Sequence, residues 1–455
     1  MKILLVSHTF FPDFIGGTES YVLGLAETYI KLKHEVLILT SNPLSKKNDY
    51  SLIKDKYLDV DVIRINKNIR QYSKFEQTYI DPLVDEKFLE VIDDFKPDVV
   101  HFHHLMHLSL DIVKITKEKS IPCVYTIHDY WSQNSCHKRV DFSNQLMEAN
   151  DINSETKYLI QLLNKGPTTP TPISWQKFIE SQNKPNYLKT AIEKIITRLL
   201  TPTAEIQNFH KYKKMVIFRK KYFKQMFSQI DLVVFPSLFL FQEYSKWGIN
   251  VKNYIISDNG INLTSNIQKL SIKTKQKHIN FAYIGAIIEE KGLDVLLKSW
   301  QQIYNITQNT SKLKIYGDYS VDYQYTKRIK NQIKNMKNVK LLGKFDRKDI
   351  ASIFSNIDVL IVPSRWHENA PMVIREAQTF KIPTIVSRMG GMPESITHGV
   401  NGYIFENGDY LGLSTIIEKL IENKNLISQL SQNILPPKSI FEDAKNTINL
   451  YETFL

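Results

Sequence analysis

Two glutamates, Glu368 and Glu376, stand eight positions apart in the stretch Ile357 to Phe380, IDVLIVPSRWHENAPMVIREAQTF. The stretch opens on Ile357–Asp358–Val359–Leu360–Ile361–Val362, a pattern that suits a parallel strand covered on both faces. Pro363 and Ser364 end the strand, and Arg365 to Asn369 form a short polar loop. Pro371 stands where a helix begins, and Met372 to Phe380 reads as that helix. Glu368 therefore falls in the loop at the strand's C-terminal end, and Glu376 inside the helix. Between them lies a helix N-terminus, whose free N–H groups and positive dipole end can hold an anion such as phosphate. Ligands of open parallel sheets bind outside the C-terminal strand ends. Two carboxylates flanking an anion site fit a ligand with sugar hydroxyls on both sides of a phosphate, which describes a nucleotide-sugar. A pair of glutamates without this context would be two solvated charges; the strand–loop–helix placement, with Asn369 and Pro371 between them, reverses that reading.

Other residues could join such a site. Lys291 stands beside Gly292 at a helix start, where its ammonium can meet a phosphate. Gly16 and Gly17 precede a helix after the first strand, Lys2 to Val6, and let the backbone approach a ligand closely. They do not form the G-x-G-x-x-G fingerprint, so a dinucleotide cofactor loses weight. His128, followed by Asp129, ends the strand Ile121 to Ile127 and is placed for polar contact with a ligand. His101, His103, His104 and His107 invite a metal reading, but strand alternation separates neighbours and no carboxylate or thiol completes a ligand set. The last three of these are expected to line the rim of a cleft.

The positioning elements follow from length and rhythm. A chain of 455 residues is too long for one compact core, and two or three domains are expected. Strand–helix alternation fills the first part to about 131, breaks over 132–228, and returns at Asp231 to Phe235. Helices are expected there at Glu155–Asn164, Ser174–Gln182, Tyr187–Leu200 and His210–Phe227, with a break at Gly166 to Pro172. The last of these, KYKKMVIFRKKYFKQMF, interleaves basic and aromatic residues. It reads either as an amphipathic surface helix with solvated lysines or as a face for an anionic membrane or an acceptor's phosphates. Residues 262–278 read as a linker, and a second α/β domain starts at Ile279.

Composition excludes some classes. No apolar run is long enough to span a bilayer, and the N-terminus lacks a signal-peptide pattern. Only two cysteines are present, Cys123 and Cys136, which fits a reducing cytoplasm. The net charge of +12 points to anionic partners without choosing among phosphates, membrane and nucleic acid. No recognisable nucleic-acid reader motif supports the last.

Taken in order, GG-x-E, HDYW, FPS, NGIN, EKG, PSRWHENAPMVIREA, GGMPE and NGYIF resemble the motif series of the family 4 retaining glycosyltransferases of the GT-B fold. The resemblance covers nearly the whole chain except 132–228. It implies an α/β architecture of two Rossmann-like domains facing across a cleft. The N-terminal, acceptor-binding domain would be residues 1–262 and the nucleotide-sugar-binding domain 279–436. Residues 437–455 would form a helix returning to the first domain. It implies that Glu376 holds the ribose hydroxyls and Glu368 contacts the donor sugar. Backbone amides of Asn369, Ala370, Pro371 and Met372 would border sugar and phosphate. Lys291 would neutralise the diphosphate, Gly17 would approach it, and His128 would lie near the transferred sugar. One departure stands out: the arginine usual after the glycine matching Gly285 is Ala286 here. Arg365, Arg388 or a residue of the acceptor domain could substitute.

The expected reaction moves a sugar from a nucleotide-diphosphate sugar to a hydroxyl acceptor with retention of configuration. The acceptor would be a glycan or lipid-linked intermediate of a cell-surface polysaccharide, met in the cytoplasm or at the inner face of an anionic membrane. No cofactor and no metal are expected, and no nucleic-acid partner. The alternative is a catalytically silent GT-B binding subunit, for which Ala286 is the only support.

Overall fold

The computed structural model describes the chain except residues 47–48, 70–71, 73, 142, 144, 166–201, 263–277 and 347–348, and counts and absences below refer to the described residues. The expected helices Ser174–Gln182 and Tyr187–Leu200, the break at Gly166 to Pro172 and nearly all of the 262–278 linker lie outside them. The chain divides into two compact units. Unit 1 comprises Met1–Phe235, Phe241–Ile255 and Leu450–Leu455; unit 2 comprises Pro236–Leu240 and Ile256–Asn449.

Unit 1 begins β1 (Lys2–Ser7), α1 (Gly17–Lys31), β2 (Glu35–Asn42), β3 (Leu52–Tyr57) and β4 (Val60–Asn66). It continues through α2 (Pro82–Phe95), β5 (Val99–Phe102), α3 (Asp111–Glu118), β6 (Cys123–Thr126), α4 (Ile152–Lys165), α5 (Pro202–Phe227), β7 (Leu232–Phe235), α6 (Leu238–Trp247) and β8 (Tyr254–Ile256). The described strands form one sheet in the order β3-β4-β2-β1-β5-β6-β7-β8. β1 pairs in parallel with β2 and β5, and β6 with β5 and β7. β3 pairs antiparallel with β4. The central strands β1, β5, β6 and β7 are buried almost throughout, as their apolar sequences require of strands covered on both faces. Leu52–Tyr57 carries exposed charge on an edge and gave no strand pattern in the sequence.

The basic-aromatic helix α5 is not simply a solvated cylinder. Arg219 is fully buried, its guanidinium 4.4 Å from the Phe223 ring centre and 5.3 Å from that of Trp131. Lys220 is buried and pairs with Glu155 of α4 at 2.7 Å. Lys211, Lys214 and Lys221 remain exposed, alongside Ile217 and Phe218.

Unit 2 holds β9 (Ile279–Ile284), α7 (Leu293–Gln302), α8 (Tyr304–Thr310), β10 (Ser311–Tyr316), α9 (Tyr323–Ile333), β11 (Val339–Gly343), α10 (Ile350–Phe354) and β12 (Val359–Val362). It ends with α11 (Met372–Thr379), β13 (Thr384–Ser387), β14 (Gly402–Phe405), α12 (Tyr410–Glu422), α13 (Asn425–Gln432) and α14 (Ile440–Glu452), the last reaching past the unit's Asn449 limit. Its described strands run β11-β10-β9-β12-β13-β14, all in parallel pairs. Alternate residues feed two separate cores. Phe281, Tyr283, Val359 and Ile361 join one; Ala282, Ile284, Leu360 and Val362 join the other. Helices on both faces thus fix β12 at the middle of the sheet, with its C-terminal end opening into the Arg365–Asn369 loop.

Candidate active site

In unit 2 three loops meet at the C-terminal ends of β9, β12 and β13. The first follows β9 and carries Glu289–Lys291 as a short 3-10 turn. Gly292 then adopts φ +69°, and a Cβ there would sit 1.9 Å from the Pro363 carbonyl oxygen. Only glycine lets this loop lie against the end of β12. The Arg365 N–H donates to the Glu290 carbonyl at 2.8 Å and locks the two loops together.

Across this junction Lys291 forms an ion pair with Glu368. Glu368 is buried, and its Oε1 also accepts from Ser364 Oγ at 2.6 Å and Trp366 Nε1 at 2.8 Å. All three donors converge on Oε1. The third loop clamps the Glu368 backbone. Gly391 N–H donates to the Glu368 carbonyl at 2.7 Å, and a Cβ on Gly390, at φ +60°, would sit 2.1 Å from that carbonyl. The GGMPE glycines therefore hold the carboxylate loop.

Pro371 caps α11 and Met372 is its first residue; Asn369, Ala370, Pro371 and Met372 are all half-buried. Glu376 is buried on α11, one residue after Arg375, which pairs with Asp258 at 2.7 Å. The structure thus brings together Lys291, Glu368 and the Asn369–Met372 turn. Both glutamates are buried, unlike the solvated charges the pair would be without its context. Ala286 is half-buried, its carbonyl accepting from Tyr283 Oη at 2.7 Å. Of the two arginines considered as substitutes, Arg388 is exposed and pairs with Glu406, while Arg365 pairs with Asp294 of α7 at 2.5 Å.

Gly17 and His128 belong to unit 1. Gly17 is the exposed first residue of α1, and His128 follows β6. Glu19, buried in the first turn of α1, accepts from Thr9 Oγ1 at 2.5 Å, and burial raises its carboxyl above the usual range. His103 Nδ1 lies 3.2 Å from His128 Nε2, and Tyr21 packs edge-on against both rings. His103, His104 and His107 are buried, not at a rim: tight turns after β5 fold these rings inward. His104 Nε2 meets Asp129 Oδ2 at 3.3 Å, and Tyr72 Oη meets His107 Nδ1 at 3.2 Å. Burial holds His8, His103 and His107 well below the ordinary histidine range. Among the described residues no group of three or more His, Cys, Asp or Glu is placed to hold a metal ion.

Residues 15–159 match the family described as Glycosyltransferase Family 4, and residues 264–435 match Glycosyl transferases group 1. The chain belongs to the family 4 glycosyltransferases. Its two parallel-sheet units are those of the GT-B fold, and the crystal structure of Anabaena Alr3699/HepE in complex with UDP-glucose superposes with a TM-score of 0.60 at 16% identity, covering 99% of this chain and 100% of that one. Glycosyltransferase MJ1178 of Methanocaldococcus jannaschii is 28% identical over 47% of this chain. The capsular polysaccharide biosynthesis glycosyltransferase CapM of Staphylococcus aureus is 26% identical over 38%. The chain spans only about half the length of these relatives, 56% and 46%. No helix among the described residues is long and apolar enough to cross a membrane.

Sequence reasoning on this GT-B chain missed two contributors to the carboxylate loop. Trp366 was legible as part of PSRWHEN but not as a donor to Glu368. Ser237 was legible in the FPS motif, yet nothing in a linear sequence ties it to Asn369.

Proposed function

We propose that this GT-B chain transfers a sugar from a nucleotide-diphosphate sugar to a hydroxyl acceptor with retention of anomeric configuration. The observation that carries the reading is the Lys291–Glu368 pair beside the α11 N-terminus, with Glu376 buried farther along that helix. A carboxylate for sugar hydroxyls, a cation and N–H groups for phosphate, and a second carboxylate for ribose hydroxyls suit the donor's parts in order. The UDP-glucose bound by Alr3699/HepE supports this donor class. In the transfer, the bond from the anomeric carbon to the β-phosphate oxygen breaks while the bond to the acceptor oxygen forms. The acceptor proton passes to the departing phosphate oxygen. Lys291 and the helix N-terminus stabilise the charge left on that diphosphate, and catalysis is chiefly positioning and electrostatics. We assign no metal to the step, and chelator-treated protein is expected to keep its activity.

The acceptor we propose is a lipid-linked or cell-surface polysaccharide intermediate, which the name of CapM supports. Lys211, Lys214 and Lys221 on α5 would favour work at an anionic membrane. The retained Lys291, Glu368 and Glu376 favour an enzyme over a silent binding subunit.

A thermal-shift panel of UDP, GDP, ADP, dTDP, CMP and their sugars on wild type and Glu376→Ala tests the donor. Binding to the native state raises the midpoint by mass action. A shift with one nucleotide, lost in the variant, is expected; no shift with any nucleotide overturns the reading. Product anomer configuration by NMR tests retention.

A further inference from the structure

Helix α5 turns one face into unit 1 and the other to solvent. Val216, Arg219, Lys220 and Phe223 are buried. The inward cations are engaged: Arg219 packs on Phe223 and Trp131, Lys220 pairs with Glu155, and Lys224 Nζ stands 5.1 Å from the Trp247 ring centre. The helix is held in place by these contacts, and its outward face with it.

That face carries Lys211, Lys214, Ile217, Phe218 and Lys221, all exposed, at steps of three and four that set them on one stripe. Ile217 and Phe218, 46% and 48% exposed, sit in its middle, with Lys214 a turn before them and Lys221 a turn after. From Asn208 to Phe227 the helix has no aspartate or glutamate. Among the described residues none of the three lysines pairs with a carboxylate. The Phe218 ring stacks on Tyr222 at 5.6 Å between centres, and the Tyr222 hydroxyl donates to Asp111 of α3. The aromatic pair is thus fixed at the surface, and the nearby Asp111 carboxylate is already engaged.

A solvated face accounts for the lysines but not for two adjacent large apolar side chains between them. One exposed apolar residue is ordinary; a fixed pair bracketed by cations calls for a partner both apolar and anionic. Nucleic acid would meet the lysines and leave Ile217 in water. A second copy of this face would set lysine against lysine. A bilayer with anionic headgroups meets both demands, because binding there grows with buried apolar area and with charge attraction. We propose that the outward face of α5 docks on an anionic bilayer by inserting Ile217 and Phe218 among the headgroups, with Lys211, Lys214 and Lys221 at the lipid phosphates. This extends the membrane reading above from charge attraction to insertion, and it does not depend on the donor reading.

The test floats the full chain with vesicles of phosphatidylcholine alone and of equal parts phosphatidylcholine and phosphatidylglycerol. Wild type is compared with Ile217→Ser/Phe218→Ser and with Lys211→Gln/Lys214→Gln/Lys221→Gln at matched thermal midpoints. Wild type is expected to bind the anionic vesicles and not the neutral ones. The apolar double variant is expected to bind about ten-fold more weakly or worse, since its insertion no longer buries apolar area. The lysine variant should lose about 100-fold, the scale of three surface lysines. A polarity-sensitive fluorophore on Phe218→Cys, in a chain whose two native cysteines are buried, should shift to the blue on anionic vesicles. No binding to anionic vesicles, binding that Ile217→Ser/Phe218→Ser leaves unchanged, or a fluorophore that stays in water overturns the inference. So does wild-type self-association that the apolar variant abolishes, or binding confined to single-stranded RNA offered in place of vesicles. The nucleotide panel is read on the same proteins. A nucleotide shift without vesicle binding sinks this inference alone, and vesicle binding without any nucleotide shift sinks the donor reading alone.

Discussion

Lys291 and Glu368 form an ion pair that ties the loop after β9 to the loop after β12, with Ser364 and Trp366 completing the coordination of Glu368 Oε1. In the proposed transfer the lysine has two duties, holding this carboxylate and meeting the donor's diphosphate. Lys291→Ala is expected to lower kcat/KM by about 100-fold or more, the scale of losing one preorganised charge from a developing anion. Glu368→Gln keeps the shape and removes the charge. Because the two side chains touch, the double variant should lose less than the two single losses multiplied. Steady-state kinetics on the four proteins would check this, and strictly multiplicative losses would contradict a functional pair.

Ala286 leaves one cation out of the usual set. Ala286→Arg is expected to tighten nucleoside diphosphate binding about ten-fold, since a guanidinium can grip phosphate through two parallel bonds. Calorimetry with the diphosphate found by the donor panel reads this directly. An unchanged Kd would mean that a group such as Arg365, now paired with Asp294, already supplies the charge.

The buried histidines make unit 1 acid-labile. His8, His101, His103 and His107 all have their pKa lowered by burial, His101 to about 3. In the unfolded chain such rings take up a proton near pH ~6.5. The stability they contribute is therefore full above about 6.5 and is lost as pH falls toward the folded values. Urea midpoints should drop between pH 7 and 5, with several protons taken up on unfolding. A midpoint flat over that range would refute the assignment.

Asp85 on α2 works in the opposite direction. Its Oδ1 is buried without a hydrogen bond, and burial raises the carboxyl to about 7 against an ordinary 3.8, with Asp111 and Asp81 adding to the shift and Ser109 and Lys67 opposing it. The folded state holds this proton more tightly, so the stability it gives is present below about pH 4 and fades as pH rises toward 7. Asp85→Asn should stabilise the protein at pH 8 by about 1–2 kcal/mol, discounted from the full shift for its partial exposure, and change little at pH 4. Equal effects at the two pH values would show that the carboxyl titrates normally. The same variant gives the cleaner background for the histidine measurement.

Much of this protein is legible before folding. Continuous β-branched runs such as Ile357–Val362 suit covered parallel strands, and the motifs at their C-terminal ends lie in local strand–loop–helix units whose geometry short-range rules fix. Glu368, Asn369, Pro371 and Glu376 could therefore be placed on one loop and one helix. Lys291 could be placed only on its own loop. Its pairing with Glu368 depends on β9 lying beside β12, an order set by sheet topology and by Gly292 fitting under Pro363. Burial was equally out of reach for His103, His104 and His107, which the strand-end reading expected at a cleft rim but which turn inward after β5. Ser237 is the extreme case. It lies 132 residues from Asn369, and only packing of the Pro236–Leu240 segment into unit 2 makes its hydroxyl part of the carboxylate loop. Local chemistry is written along the chain; which loops meet, and which charges lose their water, is decided by long-range packing that no short window of sequence contains.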